Sequence, residues 1–248
     1  MSRIRETVCL PFPRLALVGT VHGDPRGYGR ALKLLTALAP DVVAVEISAF
    51  SVRYRERRQA QWRRLFQQSL ARLPPGAEQH LALQRVAAQL ALPFEYEAAR
   101  DYSRDAARAW EPVDLAAAAR RHLPRYALEL ITPANLEALL TTPDGSFPAW
   151  VAGEYARARR LLKHPPRAAL PAPRKDDRRR EQLMAKRLRR LVGRYQRVVH
   201  LGGWEHLAAR RDGGGLAGLL SDLAPVRFLL DEADGFSWKG EGAVPDAG

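Results

Sequence analysis

Two tetrapeptides of one form lie far apart in the chain, Gly19-Thr20-Val21-His22 and Gly203-Trp204-Glu205-His206. Each closes an apolar run, Leu15-Ala16-Leu17-Val18 in the first case and Val198-Val199-His200-Leu201 in the second. Glycine lets a chain turn sharply or pass close to a neighbour, and a histidine three residues on then projects past the end of the run. Two such turns can bring two imidazoles to one place. Carboxylates stand at matching positions: Glu46 follows Val42-Val43-Ala44-Val45, and Glu95 opens the segment after Pro93. A carboxylate at the end of a wholly apolar run has to pair or act, because burying it alone is costly. Imidazole with carboxylate is a donor set suited to Mn, Fe, Co or Zn. The competing readings are a loop histidine bonded to backbone and a glutamate paired with one of the many arginines.

Positioning these groups requires strands that end at a common edge. Arg14–Gly19, Asp41–Ile47 and Arg197–Gly202 read as buried strands, since strands covered on both faces are continuously apolar, and Val226–Leu230 reads as the last strand. Between the first two, Tyr28, Leu32, Leu35 and Leu38 recur at helical spacing up to Pro40, so the chain opens β-α-β with parallel strands. Further helices are expected over 53–73, 78–92 and from Phe94 to about Ala109. A short strand follows at 110–115, then helices over 116–122, 133–140 with Thr132 as N-cap, 177–192 and 216–223. The fold class is therefore α/β: a central, mostly parallel sheet built from two related halves, flanked by helices. In open sheets of this kind ligands bind beyond the carboxyl ends of the strands.

The chain has 248 residues, enough for a single α/β domain with a sizeable core. That domain is expected over 1–234, with helical insertions at about 53–92 and 116–192, an exposed proline-rich loop at 163–175 and a flexible tail at 235–248. Cys9 is the only cysteine, so a disulfide framework within the chain and a multi-cysteine zinc site are both excluded. It reads as a small buried hydrophobe. No run of about 18 apolar residues appears, and the short apolar stretch before Pro11 is too brief for a signal peptide. A cytoplasmic protein with no membrane span is expected.

Forty Lys and Arg against 27 Asp and Glu give a net charge of +13, and lysine occurs only at positions 33, 163, 175, 186 and 239. Such an excess of arginine suits a polyanion, an acidic substrate or a membrane surface, but it also accompanies the Ala, Pro and Gly enrichment of a GC-rich coding sequence. A nucleic-acid surface would draw on Arg53, Arg55, Arg57, Arg58, Arg63, Arg64 and Arg72 with Tyr54, Trp62 and Phe66, together with the basic stretch 174–190. The aromatics fall where an inward helix face needs them, and no established nucleic-acid motif is present. The arginines read as a solvated face.

The motif residues resemble the TraB/PrgY group, which is related to the TIKI and GumN proteins and more distantly to erythromycin esterases and ChaN-like proteins. The likeness is carried by Val18-Gly19-Thr20-Val21-His22, the stretch Pro40–Glu46, the glutamate-headed, alanine-rich Pro93–Ala99, Val113-Asp114, the stretch Arg180–Ala185 and Gly203–Leu207. Glu181 stands where the family usually has Asp, and Trp204-Glu205 replace small residues. The resemblance implies a divalent-metal-dependent hydrolase, peptidase-like in its TIKI members, acting on a peptide or small acidic substrate. It implies His22 and His206 with Glu46 as metal ligands for Mn, Co or Zn, and Glu46, Glu95 and Arg180 as catalytic groups. One glutamate would serve as general base, and Arg180 would polarise a carbonyl or bind a carboxylate. Gly19, Gly203, Asp114, His200 and Glu181 are supporting residues. A peptide-sequestering regulator without turnover is the other reading of the same site. Oligomerisation is open.

His80, His122 and His164 read as surface histidines, and His200, inside an apolar run, as a core histidine or a donor behind the site. Gly213–Gly215 lacks the pattern that would make it a phosphate-binding loop.

Overall fold

A computed structural model describes residues 14–163, 175–208, 210 and 215–235. The amino-terminal segment with Cys9, the proline-rich stretch 164–174 with His164, Gly213 and Gly214, and the tail from 236 onward lie outside the described residues.

Five parallel strands form one sheet: β1 (Leu15–Thr20), β2 (Val42–Val45), β3 (Ala109–Pro112), β4 (Val198–Gly203) and β5 (Val226–Leu229), in the order β3-β2-β4-β1-β5. Every residue of β1 and β2 is buried, as expected for strands covered on both faces. β4 sits between β1 and β2, so the β-α-β opening joins parallel strands that are not neighbours. In the β1–β4 ladder Gly19 pairs with Gly202 and Thr20 with Gly203. The two Gly-x-x-His turns are thus offset by one residue, and their histidines leave the same edge from slightly different heights.

Helices surround the sheet: α1 (Gly27–Leu38), α2 (Ala49–Leu70), α3 (Leu81–Leu90), α4 (Phe94–Asp105), α5 (Ala116–His122), α6 (Pro133–Leu139), α7 (Phe147–Lys163), α8 (Lys175–Arg194) and α9 (Leu216–Leu219). The sheet core joins Leu17, Val43, Val199 and Leu201 to Leu34 and Leu35 of α1, Tyr155 of α7 and Met184 and Leu188 of α8. A second apolar cluster, with Trp62, Phe66, Leu83, Ile131 and Leu136, forms where α2, α3 and α6 meet.

Several boundaries differ from the sequence reading, for local reasons. α2 begins four residues before the expected Arg53 because Ser48 caps it, its hydroxyl accepting from the Ser51 N–H at 3.1 Å. The segment expected as one helix over 78–92 is a 3₁₀ turn, Ala77–Gln79, followed by α3. His80 makes the break: its backbone is extended, and its Nδ1 accepts from the Ala82 N–H at 3.2 Å. His80 is therefore a half-buried helix cap, where a surface histidine was expected. α4 ends at Asp105, short of Ala109, since Ala107 takes a positive φ of 53° and turns the chain into β3. β3 consequently spans Ala109–Pro112 where a strand over 110–115 was expected. The last expected helix divides into α9 and a 3₁₀ turn, Ser221–Leu223. α7 falls inside the helical insertion expected at about 116–192, where no separate helix was placed, although Phe147, Val151, Tyr155 and Ala158 form a helical stripe and all four are buried.

No helix among the described residues is long and apolar enough to cross a membrane. On α2 Trp62 and Phe66 are buried, whereas Arg53, Arg57, Arg58, Arg63 and Arg64 face solvent.

Candidate functional site

The carboxyl ends of four adjacent strands deliver the singled-out residues to one edge. His22 follows β1, Glu46 follows β2, Asp114 lies two residues beyond β3, and His206 sits in the 3₁₀ turn Trp204–Leu207 after β4. Glu95 arrives from the first turn of α4, and Arg180 and Glu181 from α8. They line a cavity of about 640 Å³.

His22 and Glu95 form one unit. The His22 Nδ1 lies 2.7 Å from Glu95 Oε1, and the Thr20 hydroxyl donates to the same oxygen at 2.6 Å. The His22 side chain is 60% exposed to the cavity, whereas that of Glu95 is 3% exposed. Glu95 therefore sits behind the imidazole and fixes its orientation, with Nδ1 as the donor and Nε2 open. Desolvation in the cleft opposes a charged ring, but the Glu95 charge and hydrogen bond outweigh it and lift His22 to about 9.

Glu46 is the centre of the second unit. Its side chain is 4% exposed, and His206 Nε2 approaches Oε1 at 3.0 Å. Arg180 donates to the same oxygen through Nη2, and the Gly203 N–H donates to Oε2 at 2.6 Å. Burial alone would raise this carboxyl; His206 and Arg180 overcome it and hold Glu46 well below the usual carboxylate range. Arg180 also forks onto Asp114, with Nε at 2.6 Å from Oδ1 and Nη2 at 2.9 Å from Oδ2. This bidentate geometry is available to Arg and not to Lys. The alternative of a surface arginine at position 180 is thereby set aside.

His206 has a carboxylate on each side, since its Nδ1 lies 3.3 Å from Glu181 Oε1. Arg210 reaches the same Glu181 oxygen at 3.3 Å. Burial opposes the imidazolium, and Glu46 and Glu181 together raise His206 to about 10. His200 behaves oppositely: it is buried in β4, and burial pulls it down to about 4, so it stays neutral. Its Nε2 has no hydrogen-bond partner among the described residues, so it is not a fully satisfied core histidine.

The glycines act through space. Gly203 has φ −55° and ψ 138°, ordinary for any residue. A Cβ built there would lie 3.4 Å from His22 Nε2, 3.6 Å from Glu46 Oε2 and 4.0 Å from His206 Cδ2. The open space above Gly203 is thus the point that both histidines and Glu46 surround. At Gly19 a Cβ would come within 2.8 Å of the Trp204 Cα, so this glycine lets the second turn pack on the first strand. The sharp turn expected there occurs at Gly23 instead, with φ 82°.

Sequence reasoning passed over Thr20, Asp24, Tyr155 and Arg210. Tyr155 accepts from the Val21 N–H at 3.4 Å and donates to Asp24 at 3.1 Å, and Asp24 also takes Arg30 at 2.6 Å. This network anchors the residue preceding His22. Thr20 was legible as a polar residue inside the first motif, whereas Tyr155 carries no signal without the fold.

Among the described residues, no group of three or more His, Cys, Asp or Glu side chains is arranged to hold a metal ion as it stands. No family model matches the sequence, and no curated protein or solved structure is significantly similar to it. The likeness to TraB-type proteins rests on the motif residues alone.

Proposed function

We propose that this chain is a divalent-metal-dependent hydrolase of the TraB/TIKI type, peptidase-like in its chemistry. The observation that carries the reading is the carboxylate beside each histidine: Glu95 bonds His22 Nδ1 at 2.7 Å, and Glu181 lies 3.3 Å from His206 Nδ1 as a charge contact without a hydrogen bond, while the other edges of both rings border the space above Gly203 beside Glu46. A carboxylate behind a histidine is the usual support of a metal-ligating imidazole, because it fixes the tautomer and raises ligand basicity. The donor set of two imidazoles and one carboxylate fits Mn, Co or Zn.

In this reading His22, His206 and Glu46 hold the ion, which supplies Lewis acidity toward a substrate carbonyl when bound. The protein's own groups do the remaining work. Glu95 and Thr20 orient His22, and the Glu181 carboxylate contributes charge beside His206. Arg180, anchored on Asp114, neutralises Glu46 and presents its remaining donor edge to the cavity, where it can bind the carbonyl oxygen as charge develops. Glu95 acts through His22 and is therefore a positioning residue. His206 is raised to about 10 and must give up its proton before its Nε2 can serve as a ligand, so metal affinity should rise with pH.

Elemental analysis of the purified chain supplied with Mn, Co or Zn, beside the His22→Ala, His206→Ala double variant, tests the reading. One bound ion per chain, lost in the double variant together with hydrolysis of a peptide library, is expected. Equal metal content in both proteins, or none in either, overturns it.

A further inference from the structure

The wall of the cavity beyond His22 has a different chemistry from its floor. At the floor Glu46, Glu95, Glu181 and Asp114 are matched by His22, His206, Arg180 and Arg210. On the far wall two arginines line the cavity without a carboxylate within ion-pair distance among the described residues. Arg55 projects from α2 and gives its bonds to neutral acceptors: the Ser51 hydroxyl at 3.3 Å, the Ala91 carbonyl at 2.9 Å and the Gln89 carbonyl. Its guanidinium also lies over the ring of Tyr126. Burial moves Arg55 below its ordinary value, the mark of a cation whose surroundings do not repay its lost hydration. Arg85, one turn before Gln89 on α3, stacks over Trp150 at 4.8 Å. Stacking occupies the face of a guanidinium and leaves its N–H edge free for an oxyanion.

Trp150 itself stacks on Phe147, with centroids 5.6 Å apart and an angle of 19°. Phe147 touches the first turn: a Cβ on Gly23 would meet its Cζ at 3.2 Å. The edge of the buried Phe147 and the half-buried Trp150 therefore line the cavity as a narrow apolar shelf between the His22 turn and Arg85. Glu154, on the same side of α7, lies 3.6 Å from Arg157.

We propose that the Phe147–Trp150 shelf with Arg85 and Arg55 is a binding subsite for a carboxylate carried next to an aromatic or large apolar side chain, as at the carboxyl-terminal residue of a short peptide. The inference deepens the hydrolase reading by naming the end of the substrate that enters beyond the His22 turn. The shelf takes the side chain, and the two arginines take the carboxylate, whose charge-assisted bonds are about twice as strong as neutral ones.

Titration calorimetry on the full chain tests the proposal with three probes: N-acetyl-phenylalanine, its amide and N-acetyl-glycine. The free acid should bind at least about tenfold tighter than the amide, and tighter than the glycine compound by a similar factor. Arg85→Gln, a change on an exposed side chain that leaves the fold intact, should bring the acid-to-amide ratio down several-fold, and Arg55→Lys should do the same. Binding by the His22→Ala, His206→Ala double variant in chelator should match the parent, which separates this subsite from the metal site. Equal affinity for acid and amide, or a ratio unchanged by Arg85→Gln in a protein of parental melting temperature, overturns the proposal. No hydrolysis by the parent chain supplied with Mn, Co or Zn, with acid-selective binding retained, would count against the hydrolase reading and leave the subsite standing.

Discussion

Gly203→Ala isolates the chemistry of the site from its stability. The backbone at Gly203, with φ −55° and ψ 138°, accepts alanine without strain, and replacing glycine at a compatible position stabilises by about 0.4–1 kcal/mol through the unfolded chain. The added methyl meets His22 Nε2 at 3.4 Å, Glu46 Oε2 at 3.6 Å and His206 Cδ2 at 4.0 Å, which are van der Waals distances, so nothing has to move. For a chain of this size each kcal/mol is worth about 2–4 °C, and the melting temperature should be unchanged or higher by a few degrees. Yet the methyl fills the point that the two imidazoles and Glu46 surround, and a displacement of about 1 Å at a reacting centre can cost about 100-fold. If the chain is the metal-dependent hydrolase proposed above, metal affinity and hydrolysis should therefore fall by about 100-fold or more. Gly202→Ala is the contrast: its Cβ would clash with His200 Cε1 and meet Glu46 Oε2 at 2.6 Å. Overpacking of this kind costs about 1–3 kcal/mol, so that variant should lose stability and function together. Differential scanning calorimetry alongside metal titration reads both quantities. A Gly203→Ala protein that keeps its metal affinity and rate within threefold would refute the argument, as would one destabilised by more than about 2 kcal/mol.

Other perturbations follow from the same structure. Arg180→Met leaves Glu46 and Asp114 without their shared cation; breaking a buried pair costs about 3–5 kcal/mol, and with Arg180 30% exposed about 1–3 kcal/mol is expected in urea unfolding. A loss below about 0.5 kcal/mol would mean that the fork contributes little to the fold. Burial and Asp24 raise the Tyr155 phenol above its ordinary value, so the folded state holds this proton more tightly than the unfolded chain. Its contribution is full below about pH 10 and is lost as the pH rises toward the folded value. Tyr155→Phe should flatten that alkaline decline, and an unchanged decline would remove Tyr155 as its source. Gln replacements at Arg57 and Arg64, both exposed on α2, should change stability by no more than about 0.5 kcal/mol; a larger loss would show that this face is packed against something.

Much of this molecule was readable from residue types in order. The strands β1, β2 and β4 are nearly continuous apolar runs, as burial on both faces requires, so an α/β sheet followed, and β5 completes it as a partly exposed edge strand. The single cysteine, at position 9, confined any metal site to imidazole and carboxylate, and the two Gly-x-x-His turns with Glu46 and Glu95 supplied those groups. Pairing is what the order of residues does not contain. Glu95 could reach His22 or the cavity; only the seating of α4 places it behind the ring, bonded to Thr20 as well. Arg180 follows Arg178 and Arg179, and only the family resemblance singled it out; its partners, Asp114 and Glu46, appear once α8 is seated on the sheet. The roles of the glycines changed for the same reason. Local sequence suggests turning, whereas the contacts of Gly19 and Gly203 are with residues from other elements, and a close approach exists only once strands are assembled. Charge tells the same story at larger scale, since the arginine excess is fixed by composition while the difference between a solvated arginine on α2 and one lining a cavity at Arg55 is set by what packs around each. Sequence determines which chemistry the chain can carry because side-chain types and periodicity are local; tertiary structure decides which groups share a proton, a charge or a space because those energies depend on distances between residues far apart in the chain.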